Sequence, residues 1–460
     1  MSHQNLDQLL GTVKSPVELL RNSQIGPYAF PVVRYEFTNW RDEQLSWRRT
    51  CALFDQSHHM TDLYIEGPDA LRLLSTLGVN SFKGFKVDQA KQFIACNDEG
   101  YVIGDAILFF LDENSLSLVG RPPAANWVEY HAQTGSFDVK VERDERSAVN
   151  LGRRKSYRFQ VQGPNAAKVM EAVTGHPTPD IRFFHMGTFT IAGRRVRALR
   201  HGMVGQPGWE LFGPWEDADA VRDAIVAAGR SHGIRQVGAR TYPTSCLESG
   251  WIPSPLPAIY TGQAMRAYRE WLKPTSYEAM ASLGGSFRSD NIADYYLTPW
   301  DLGYGQFVRF DHDFVGRAAL EKMAGATSRT KVTLVWNGDD VERALGSLFT
   351  DRGDIAKYID LPLANYATLP YDKVISGNKT VGISTYTGYN FNERAMLSLA
   401  IVDNEYSVPG TQVTVVWGEE NGGTTKPTVE RHTQVEIRAT VQPAPISEVA
   451  RVGYRPKALA

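Results

Sequence analysis

A short phrase occurs twice in this chain, and it constrains the fold more than any other feature. The first copy, 65–70, reads IEGPDA before LRLLSTL, and the second, 161–166, reads VQGPNA before AKVMEAV. Each copy predicts a strand, a tight Gly-Pro turn, a capping Asp69 or Asn165, and an amphipathic helix. We therefore expect one unit built twice with a pseudo-twofold cleft between the copies, and such clefts commonly bind small molecules.

The elements around these copies predict an α+β fold. Between 63 and 209 short β-branched or aromatic runs alternate with helical runs, which indicates mainly antiparallel strands joined by hairpins such as TIAGRRV, 190–196. The segment 216–229 has early acids, apolar residues at helical spacing and a closing glycine, so it predicts a helix. The prolines of 251–262 exclude regular structure and predict a shaped loop.

The pattern changes beyond about 326, where successive strands predict a small all-β domain, a barrel or a sandwich. We expect a first region, 1–326, with two interleaved α+β subdomains, and a second, barrel-like region, 327–460. The runs that predict the strands of the second region are KVTLVWNG, TVGISTYTGY, LSLAIV, GTQVTVVWG and VEIRATVQP.

Composition excludes several classes of partner. The chain has 49 Lys and Arg against 51 Asp and Glu, so it lacks the charge of a nucleic-acid or anionic-membrane binder. Three cysteines without C-x-x-C spacing argue against disulfides or zinc and favour a reducing cytoplasm. We find no signal-peptide core and no apolar run that could span a bilayer. A small molecule is the expected partner, with no obligate protein partner.

Several catalytic and cofactor motifs are absent, namely G-x-G-x-x-G, the P-loop, G-x-S-x-G and H-E-x-x-H. His58 and His59 are adjacent, and adjacent side chains on a strand point to opposite faces. They therefore do not predict a shared metal site, and we expect no metal.

Six segments together resemble the tetrahydrofolate-dependent aminomethyltransferases, the family with the glycine-cleavage T-protein fold. Over roughly 50–420 this resemblance implies a central folate cleft between two α+β subdomains, followed by a β-barrel. The segments RNSQIG, RPPAANW and LESGWIPSPLPAIYTG are similar to the tetrahydrofolate-dependent aromatic O-demethylases of lignin catabolism. The six segments are LFDQSHHM, GYVIGD, FQVQGPNA, HGMVGQPGWEL, GARTYPTSCLESGW and LGYGQFVRFDHDFVGRAAL.

The resemblance implies methyl transfer from a methoxybenzoate to tetrahydrofolate, giving 5-methyltetrahydrofolate and a phenol. Syringate is the expected substrate, with 3-O-methylgallate and vanillate next. Where the glycine-cleavage relatives carry two adjacent acids and an Asn, this chain has Gly104 with Asp105, and Arg121. A planar guanidinium binds a carboxylate through two hydrogen bonds, which favours an aromatic acid over an amine substrate. The alternative for Arg121 is a surface arginine before a Pro-Pro turn.

The leaving oxygen of an aryl ether needs a proton donor, because phenols have a pKa of about 10. The resemblance implies Tyr242, whose pKa matches that of the phenol, as this donor, and His59 as its partner or a second donor. Gln56 is expected to hydrogen-bond the ring hydroxyl, and His58 belongs to the same substrate-binding set. Phe30 is expected to form a wall that tolerates a second methoxy group. Packed core roles remain open for Tyr242 and His59.

Folate requires a flat slot and a carboxylate for the pterin edge. The resemblance implies Glu210 and Glu248 as the acids around the folate, with Trp251 stacking on a ring. Gln162 and Asp105 are expected to line the same slot. Solvated acids and a core tryptophan are the alternatives.

Two other functions stay open. One is aminomethyl or N-methyl transfer in amine catabolism, against which Gly104 and Arg121 speak. The other is a folate-binding accessory protein without transfer activity, although the K-G-C-Y-x-G-Q-E signature of such relatives is missing.

Overall fold

The computed structural model describes residues 4–150, 152–253, 255–350 and 355–453. Its strands are β1 (Cys51–Asp55), β2 (Thr61–Glu66), β3 (Ala90–Cys96), β4 (Val102–Asp112), β5 (Ser115–Gly120), β6 (Lys140–Asp144), β7 (Ser156–Gln162), β8 (Met186–Ile191), β9 (Arg194–Arg200), β10 (Gly208–Pro214), β11 (Ile234–Val237), β12 (Leu283–Gly284), β13 (Arg329–Trp336), β14 (Leu369–Pro370), β15 (Asp372–Ser376), β16 (Lys379–Asn390), β17 (Ala395–Asp403), β18 (Gln412–Trp417) and β19 (Val435–Pro443).

The α-helices are α1 (Leu6–Leu10), α2 (Pro16–Asn22), α3 (Trp40–Arg49), α4 (Ala70–Leu77), α5 (Pro122–Thr134), α6 (Ala166–Thr174), α7 (Ala218–Gly229), α8 (Ser245–Ser249), α9 (Arg266–Trp271), α10 (Tyr277–Met280), α11 (Arg317–Met323) and α12 (Gly338–Gly346). Short 3-10 helices cover Trp215–Asp217, Arg230–His232, Tyr242–Thr244, Ile292–Tyr295, Gly305–Phe307, Ser347–Phe349, Asn404–Tyr406 and Glu420–Gly422, and Val449–Gly453 is a π-helical turn.

Two sheets and a barrel organise these elements. One sheet has five antiparallel strands in the order β3-β4-β5-β2-β6. The other has six strands in the order β11-β1-β7-β10-β9-β8, and only its β1–β11 pair is parallel. Strands β13-β17-β16-β15-β18-β19 close into a barrel. The α+β prediction with a C-terminal barrel is therefore confirmed.

Both copies of the repeated phrase fold as predicted into strand, turn and helix. The first joins β2 to α4 in the five-stranded sheet, and the second joins β7 to α6 in the six-stranded sheet. Gly67 and Gly163 have φ of 137° and 132°. A Cβ there would lie 2.3 Å from the Asp138 carbonyl oxygen and 2.6 Å from the Thr50 carbonyl oxygen. Glycine is therefore required by the same close approach in both copies.

The capping roles expected for Asp69 and Asn165 are wrong. Neither side chain caps its helix. The Asp69 carboxylate instead accepts hydrogen bonds from the Arg72 guanidinium and the Asp138 backbone N–H, while the Asn165 amide donates to the His232 carbonyl at 3.1 Å. Tertiary partners thus compete successfully with the helix ends for these short polar side chains.

Three local predictions can be compared directly. TIAGRRV forms the β8–β9 hairpin, and 216–229 contains α7 as expected. Gly229 is the last residue of α7 but does not reverse the chain, which continues to a left-handed Gly233 with φ of 74°. Within 251–262, the described residues 251–253 and 255–262 form no helix or strand, and Ser254 lies outside the described residues.

The barrel contains all five of the predicted C-terminal strands, as β13 and β16–β19, together with the short β15 that the sequence did not predict. Its interior packs Val332, Trp336, Val415 and Trp417. The division proposed between 326 and 327 falls between α11 and β13, and it stays a proposal. Residues 351–354 and 454–460 of the predicted second region lie outside the described residues. Among the described residues, no helix has the length and apolar character needed to cross a membrane.

Candidate active site

Two adjoining cavities lie where the five-stranded sheet, the 3-10 helix after β11, the barrel and the N-terminal arm (residues 23–39) meet. They are partly open to solvent, and both are lined by Arg121 and Pro253. Further residues of the larger cavity are Pro27, Tyr28, Phe30, Pro243, Ile252, Leu363, Asn365, Ala367, Thr368, Pro370, Thr385 and Tyr386. The smaller cavity is also lined by Ile103, Gly104, Asp105, Pro123, Ala124, Pro255 and Tyr277.

Arg121 brings a positive charge to both cavities from the residue before α5. Its guanidinium carbon lies 3.6 Å from the centre of the Tyr28 ring, and its Nη1 is buried without a hydrogen-bond partner. A guanidinium stays charged in proteins, and leaving a buried charged donor unsatisfied is costly. Arg121 is therefore not a surface arginine, and its surroundings favour an anionic ligand.

Gly104 gives a physical reason for the position of Arg121. A Cβ on Gly104 would lie 2.9 Å from the backbone nitrogen of Ala124 and 3.3 Å from Cβ of Pro123. Any side chain there would push the first turn of α5 away from β4. Gly104 therefore allows the close packing of α5 on β4 that places Arg121 at the cavities.

Tyr242, His59 and Phe30 form an aromatic cluster beside the larger cavity. Their ring centres lie 4.8 Å apart for His59 and Tyr242, 5.0 Å for Phe30 and Tyr242, and 4.6 Å for Phe30 and His59. His59 comes from the turn after β1, Tyr242 from the start of a 3-10 helix after β11, and Phe30 from the N-terminal arm. Because Phe30 also lines the cavity that contains Arg121, the predicted acid donor and the predicted carboxylate binder lie on the same side of the molecule.

The Tyr242 hydroxyl is held by two neighbours. The Gln56 side-chain amide donates to it at 3.2 Å, and Sδ of Met203 lies 3.7 Å away. Burial raises the pKa of Tyr242 well above that of a free phenol. The expected pKa match is therefore corrected, because this tyrosine is a protonated, weaker acid. Gln56 keeps a buried Oε1 without a partner.

His59 is a neutral imidazole. Burial first, and then the nearby charge of Arg121, hold the pKa of His59 well below its usual range. A neutral ring has one N–H donor and one acceptor nitrogen. The backbone carbonyl of His59 also accepts a hydrogen bond from the Tyr28 hydroxyl, which ties the N-terminal arm to the turn that carries His59.

Asp105 lines the smaller cavity, and three donors converge on its Oδ2. They are Nε2 of Gln92 at 2.6 Å, the hydroxyl of Tyr304 at 2.8 Å and Nε1 of Trp251 at 3.2 Å. Burial raises the pKa of Asp105, and the hydrogen bonds from Tyr304 and Trp251 act in the opposite direction. The structure thus brings Asp105 and Trp251 together, as expected, and fixes the orientation of the indole.

The second copy of the repeated unit carries buried amides, and neither Gln162 nor Glu210 is among the residues that line the two cavities. Gln162 accepts a hydrogen bond from the Met203 backbone N–H at 2.8 Å, while its Nε2 and the Oε1 of Gln160 are buried without partners. Glu210 is bound by the Arg158 guanidinium at 2.9 Å. Burial raises the pKa of Glu210, opposed by Arg158. Its charge is therefore compensated inside the protein.

Glu248 is not among the residues that line the two cavities, and its folate-binding role stays a prediction. Its Oε1 accepts from Trp47, Asn390 and Asn392 at 3.1, 2.9 and 2.6 Å, and its Oε2 accepts from Arg48 at 3.1 Å. These donors come from α3 and from the barrel strand β16 and the turn that follows it. Glu248 therefore joins the barrel to the first region, and its acceptor positions are used by the protein itself.

His58 is also separated from the aromatic cluster. It lies in a turn, not on a strand, and its Nδ1 is 2.9 Å from Ser147 Oγ, with Asp55 and Trp215 as further neighbours. Burial lowers the pKa of His58, opposed by Asp55. Within the described ranges, no group of three or more His, Cys, Asp or Glu side chains is arranged to hold a metal ion.

Four residues around the site were not predicted from the sequence. Tyr28 and Tyr277 surround the Arg121 side, Met203 contacts the Tyr242 side, and Tyr304 holds Asp105. Tyr28 is two residues from Phe30, and Met203 and Tyr304 lie inside segments that carry the family resemblance, so a residue-by-residue inspection of those segments could have found them. Nothing in the local sequence marks Tyr277.

The comparisons with known proteins agree with this geometry. The family model described as the GCVT N-terminal domain matches residues 23–254. Syringate O-demethylase from Sphingobium sp. (strain SYK-6) is 51% identical over 451 residues, covering 98% of this chain and 97% of that protein. Sesamin methylene transferase from a Sinomonas species is 32% identical over 431 residues, covering 90% of each.

A solved structure supports the fold alone. The glycine cleavage system aminomethyltransferase T from Bartonella henselae has a TM-score of 0.59 and 19% sequence identity, and the match covers 92% of each chain.

Proposed function

Because this chain belongs to the GCVT aminomethyltransferase family, we propose that it is a tetrahydrofolate-dependent O-demethylase of methoxybenzoates, with syringate as its preferred substrate. The observation that carries this proposal is Arg121, whose buried Nη1 has no hydrogen-bond partner, in the cavity that Phe30 lines beside Tyr242 and His59. An aromatic acid supplies a carboxylate for Arg121 and an ether oxygen for the phenolic donor.

The bond to be broken is that between the methyl carbon and the aryl oxygen. Tetrahydrofolate supplies the nitrogen that accepts the methyl group. The chain must hold both reactants in line, which contributes roughly 7 to 11 kcal/mol, and must stabilise the departing phenoxide. Tyr242 would donate its proton to that oxygen, and the proton released by the newly methylated nitrogen would restore the tyrosine. A phenoxide formed in the same buried space has a raised pKa as well, so a weaker acid is adequate there.

His59 supports this step as a neutral donor. Its lowered pKa means that it does not supply a mobile charge, so its role is to donate a hydrogen bond to the ether oxygen or to orient Tyr242. Cys246 is not the methyl carrier, because burial raises the pKa of its thiol to about 11 and a protonated thiol is a poor nucleophile. Transfer directly between the two bound reactants is the simplest reaction that these residues support.

The pterin would be held by polar groups that lack protein partners. Nε2 of Gln162 and Oε1 of Gln160 are a buried donor and a buried acceptor, which suits the mixed edge of a pterin. Asp105 and Trp251 would line the other side of the slot, with the indole as a stacking surface. Glu210 would act only through Arg158, since its charge is already bound.

Substrate choice would depend on Phe30, whose ring lacks a hydroxyl and leaves space for a second methoxy group. The test compares kcat/KM for syringate, 3-O-methylgallate and vanillate in the wild type and in Phe30→Tyr. We expect syringate to be preferred, and the variant to shift the ratio toward vanillate. A clear wild-type preference for vanillate would contradict the syringate assignment.

The activity itself is tested by incubating the full chain with syringate and tetrahydrofolate and following 5-methyltetrahydrofolate by chromatography. Stoichiometric formation of this product and of 3-O-methylgallate is expected. If none of the three methoxybenzoates gives product, the demethylase proposal fails. We place the reaction in the cytoplasm, because Cys51, Cys96 and Cys246 are free thiols, and with no partner beyond the two small molecules.

A further inference from the structure

A second arginine lies against the tyrosines that surround Arg121. The guanidinium carbon of Arg146 is 5.1 Å from the centre of the Tyr28 ring and 5.7 Å from that of Tyr277. Tyr28 lines the larger cavity and Tyr277 the smaller one, and their ring centres are 6.3 Å apart. The same Tyr28 ring is therefore contacted by two cations, Arg121 and Arg146.

Arg146 is not neutralised by the acid beside it. Glu145 is engaged by Arg143 and by the Thr61 hydroxyl, and it meets Arg146 through the backbone N–H of that residue. Nε of Arg146 is buried without a hydrogen-bond partner. Two neighbouring guanidiniums, each with an unsatisfied buried donor, thus raise the positive potential at one aromatic wall.

The loop that carries Arg146 is attached to the turn that carries His59. The Ser147 backbone N–H donates to the His58 carbonyl, and the Ser147 hydroxyl lies 2.9 Å from Nδ1 of His58. The Tyr28 hydroxyl donates to the carbonyl of His59 in the same turn. The position of Arg146 relative to the aromatic cluster is therefore set by hydrogen bonds and not only by packing.

We propose that Arg146 is a positioning residue of a two-arginine carboxylate site, in which it orders Tyr28 and Tyr277 and adds the second positive charge that the carboxylate of an aromatic acid requires. Arg146 does not line either cavity, so it acts through the tyrosine rings and through its field. Like charges close to one ring repel each other, and a bound carboxylate relieves that repulsion. The inference rests on the proposed function, because it takes the acid to be the ligand of Arg121.

The test measures equilibrium binding of syringate and of its primary amide by calorimetry, with 5-methyltetrahydrofolate present to prevent turnover. The variants are Arg146→Gln, the conservative Arg146→Lys and the control Arg153→Gln, which removes an exposed arginine paired with Glu216. We expect Arg146→Gln to weaken syringate about tenfold, in line with a desolvated cation–π contact plus a nearby charge. The amide should change less than twofold, and Arg146→Lys should recover part of the loss.

The outcomes separate this inference from the proposed function. If Arg146→Gln binds syringate as tightly as Arg153→Gln does, the inference fails while demethylase activity can still be observed. If syringate binding depends on Arg146 but no 5-methyltetrahydrofolate ever forms, the demethylase proposal fails instead. If Arg146→Gln loses affinity for 5-methyltetrahydrofolate and not for syringate, the anion bound near Arg146 is the glutamyl tail of the folate, and the inference is overturned. Absence of syringate binding to the wild type would overturn both.

Discussion

The two copies of the strand-turn-helix unit share their backbone geometry but present different chemistry. The first half of the site, the five-stranded sheet with α5, contains Arg121, whose buried Nη1 lacks a hydrogen-bond partner, and Asp105, whose carboxylate is held by Gln92, Tyr304 and Trp251. The second half, the six-stranded sheet with the turn after β11, pairs Arg158 with Glu210 and leaves Oε1 of Gln160 and Nε2 of Gln162 without hydrogen-bond partners. The two halves thus differ in their unsatisfied groups, a cationic donor in the first and neutral amide atoms in the second.

This difference indicates how two unlike reactants would share one cleft. A carboxylate is attracted by the half with the unsatisfied cationic donor, while an uncharged heterocycle gains most from buried donors and acceptors. Tyr242 follows β11 and so belongs to the second half, although its aromatic neighbour Phe30 faces the cavity with Arg121. We propose that the proton donor stands where the two halves meet.

The largest effect should come from the donor at that boundary. Tyr242→Phe keeps the ring and removes the hydroxyl, so we expect kcat to fall by about 10²- to 10³-fold, the range of general acid catalysis. Affinity for syringate should stay within about threefold, because binding depends on the other half. Steady-state kinetics and calorimetry check this together. A variant with kcat close to wild type would remove Tyr242 from the chemistry.

The next effect tests the half that contains Arg121. Arg121→Gln should raise KM for syringate by about 100-fold, since a charge-assisted bidentate contact contributes about 3 kcal/mol. KM for tetrahydrofolate should change little. The matched control is the primary amide of syringate, whose binding should be almost insensitive to the substitution. Equal losses for acid and amide would mean that Arg121 supports the fold rather than the carboxylate.

Substitution of Glu248 distinguishes a structural role of its carboxylate from a folate-binding role. In Glu248→Gln, one of the four groups that donate hydrogen bonds to the carboxylate faces an amide N–H instead of an acceptor oxygen. We therefore expect the free energy of unfolding to fall by about 2 to 3 kcal/mol. KM for tetrahydrofolate should remain unchanged at a temperature where the variant is folded. Urea denaturation and kinetics provide both numbers. A stable variant with a greatly raised KM for tetrahydrofolate would place Glu248 in the folate slot.

The smallest effect concerns pH. Folding lowers the pKa of His59 below the value of about 6.5 that it has in the unfolded chain. Between the folded and the unfolded pKa, the unfolded chain therefore binds a proton that the folded chain does not. Stability should therefore decrease as the pH falls below about 6.5, by up to about 1.4 kcal/mol per unit for each such group.

A second, partly buried histidine gives the control. Burial lowers the pKa of His131 to about 4, so His131→Gln and His59→Gln should both flatten this part of the stability curve. Only His59→Gln should also lower kcat, because His131 lies outside the site. A pH slope that is the same in His59→Gln and the wild type would show that folding does not lower the pKa of His59.

Local patterns predicted the elements better than the partners of individual side chains. Gly67 and Gly163 lie in turns where only glycine fits beside the neighbouring backbone, and the Gly-Pro phrase predicted both turns. The capping prediction for Asp69 failed because Arg72 and Asp138 compete for its carboxylate. No local pattern shows such competition.

The residues of the site show the same difference between local patterns, which the sequence predicts, and long-range partners, which it does not. Arg121, Asp105 and Tyr242 lie in distinctive segments, and the structure places each beside a cavity or its aromatic wall. Glu248 also lies in such a segment, but Trp47 and Asn390, which donate hydrogen bonds to its carboxylate, are far away in the sequence. The sequence therefore could not predict these hydrogen bonds. Long-range hydrogen bonds decide which acids remain available to a ligand.

The division of the cleft is tested most directly by measuring the binding of syringate and of 5-methyltetrahydrofolate separately to Arg121→Gln and Gln162→Leu. We expect Arg121→Gln to lose syringate affinity alone and Gln162→Leu to lose folate affinity alone, the latter by about tenfold. The reverse pattern, or a loss of both ligands in both variants, would contradict the assignment of one reactant to each half.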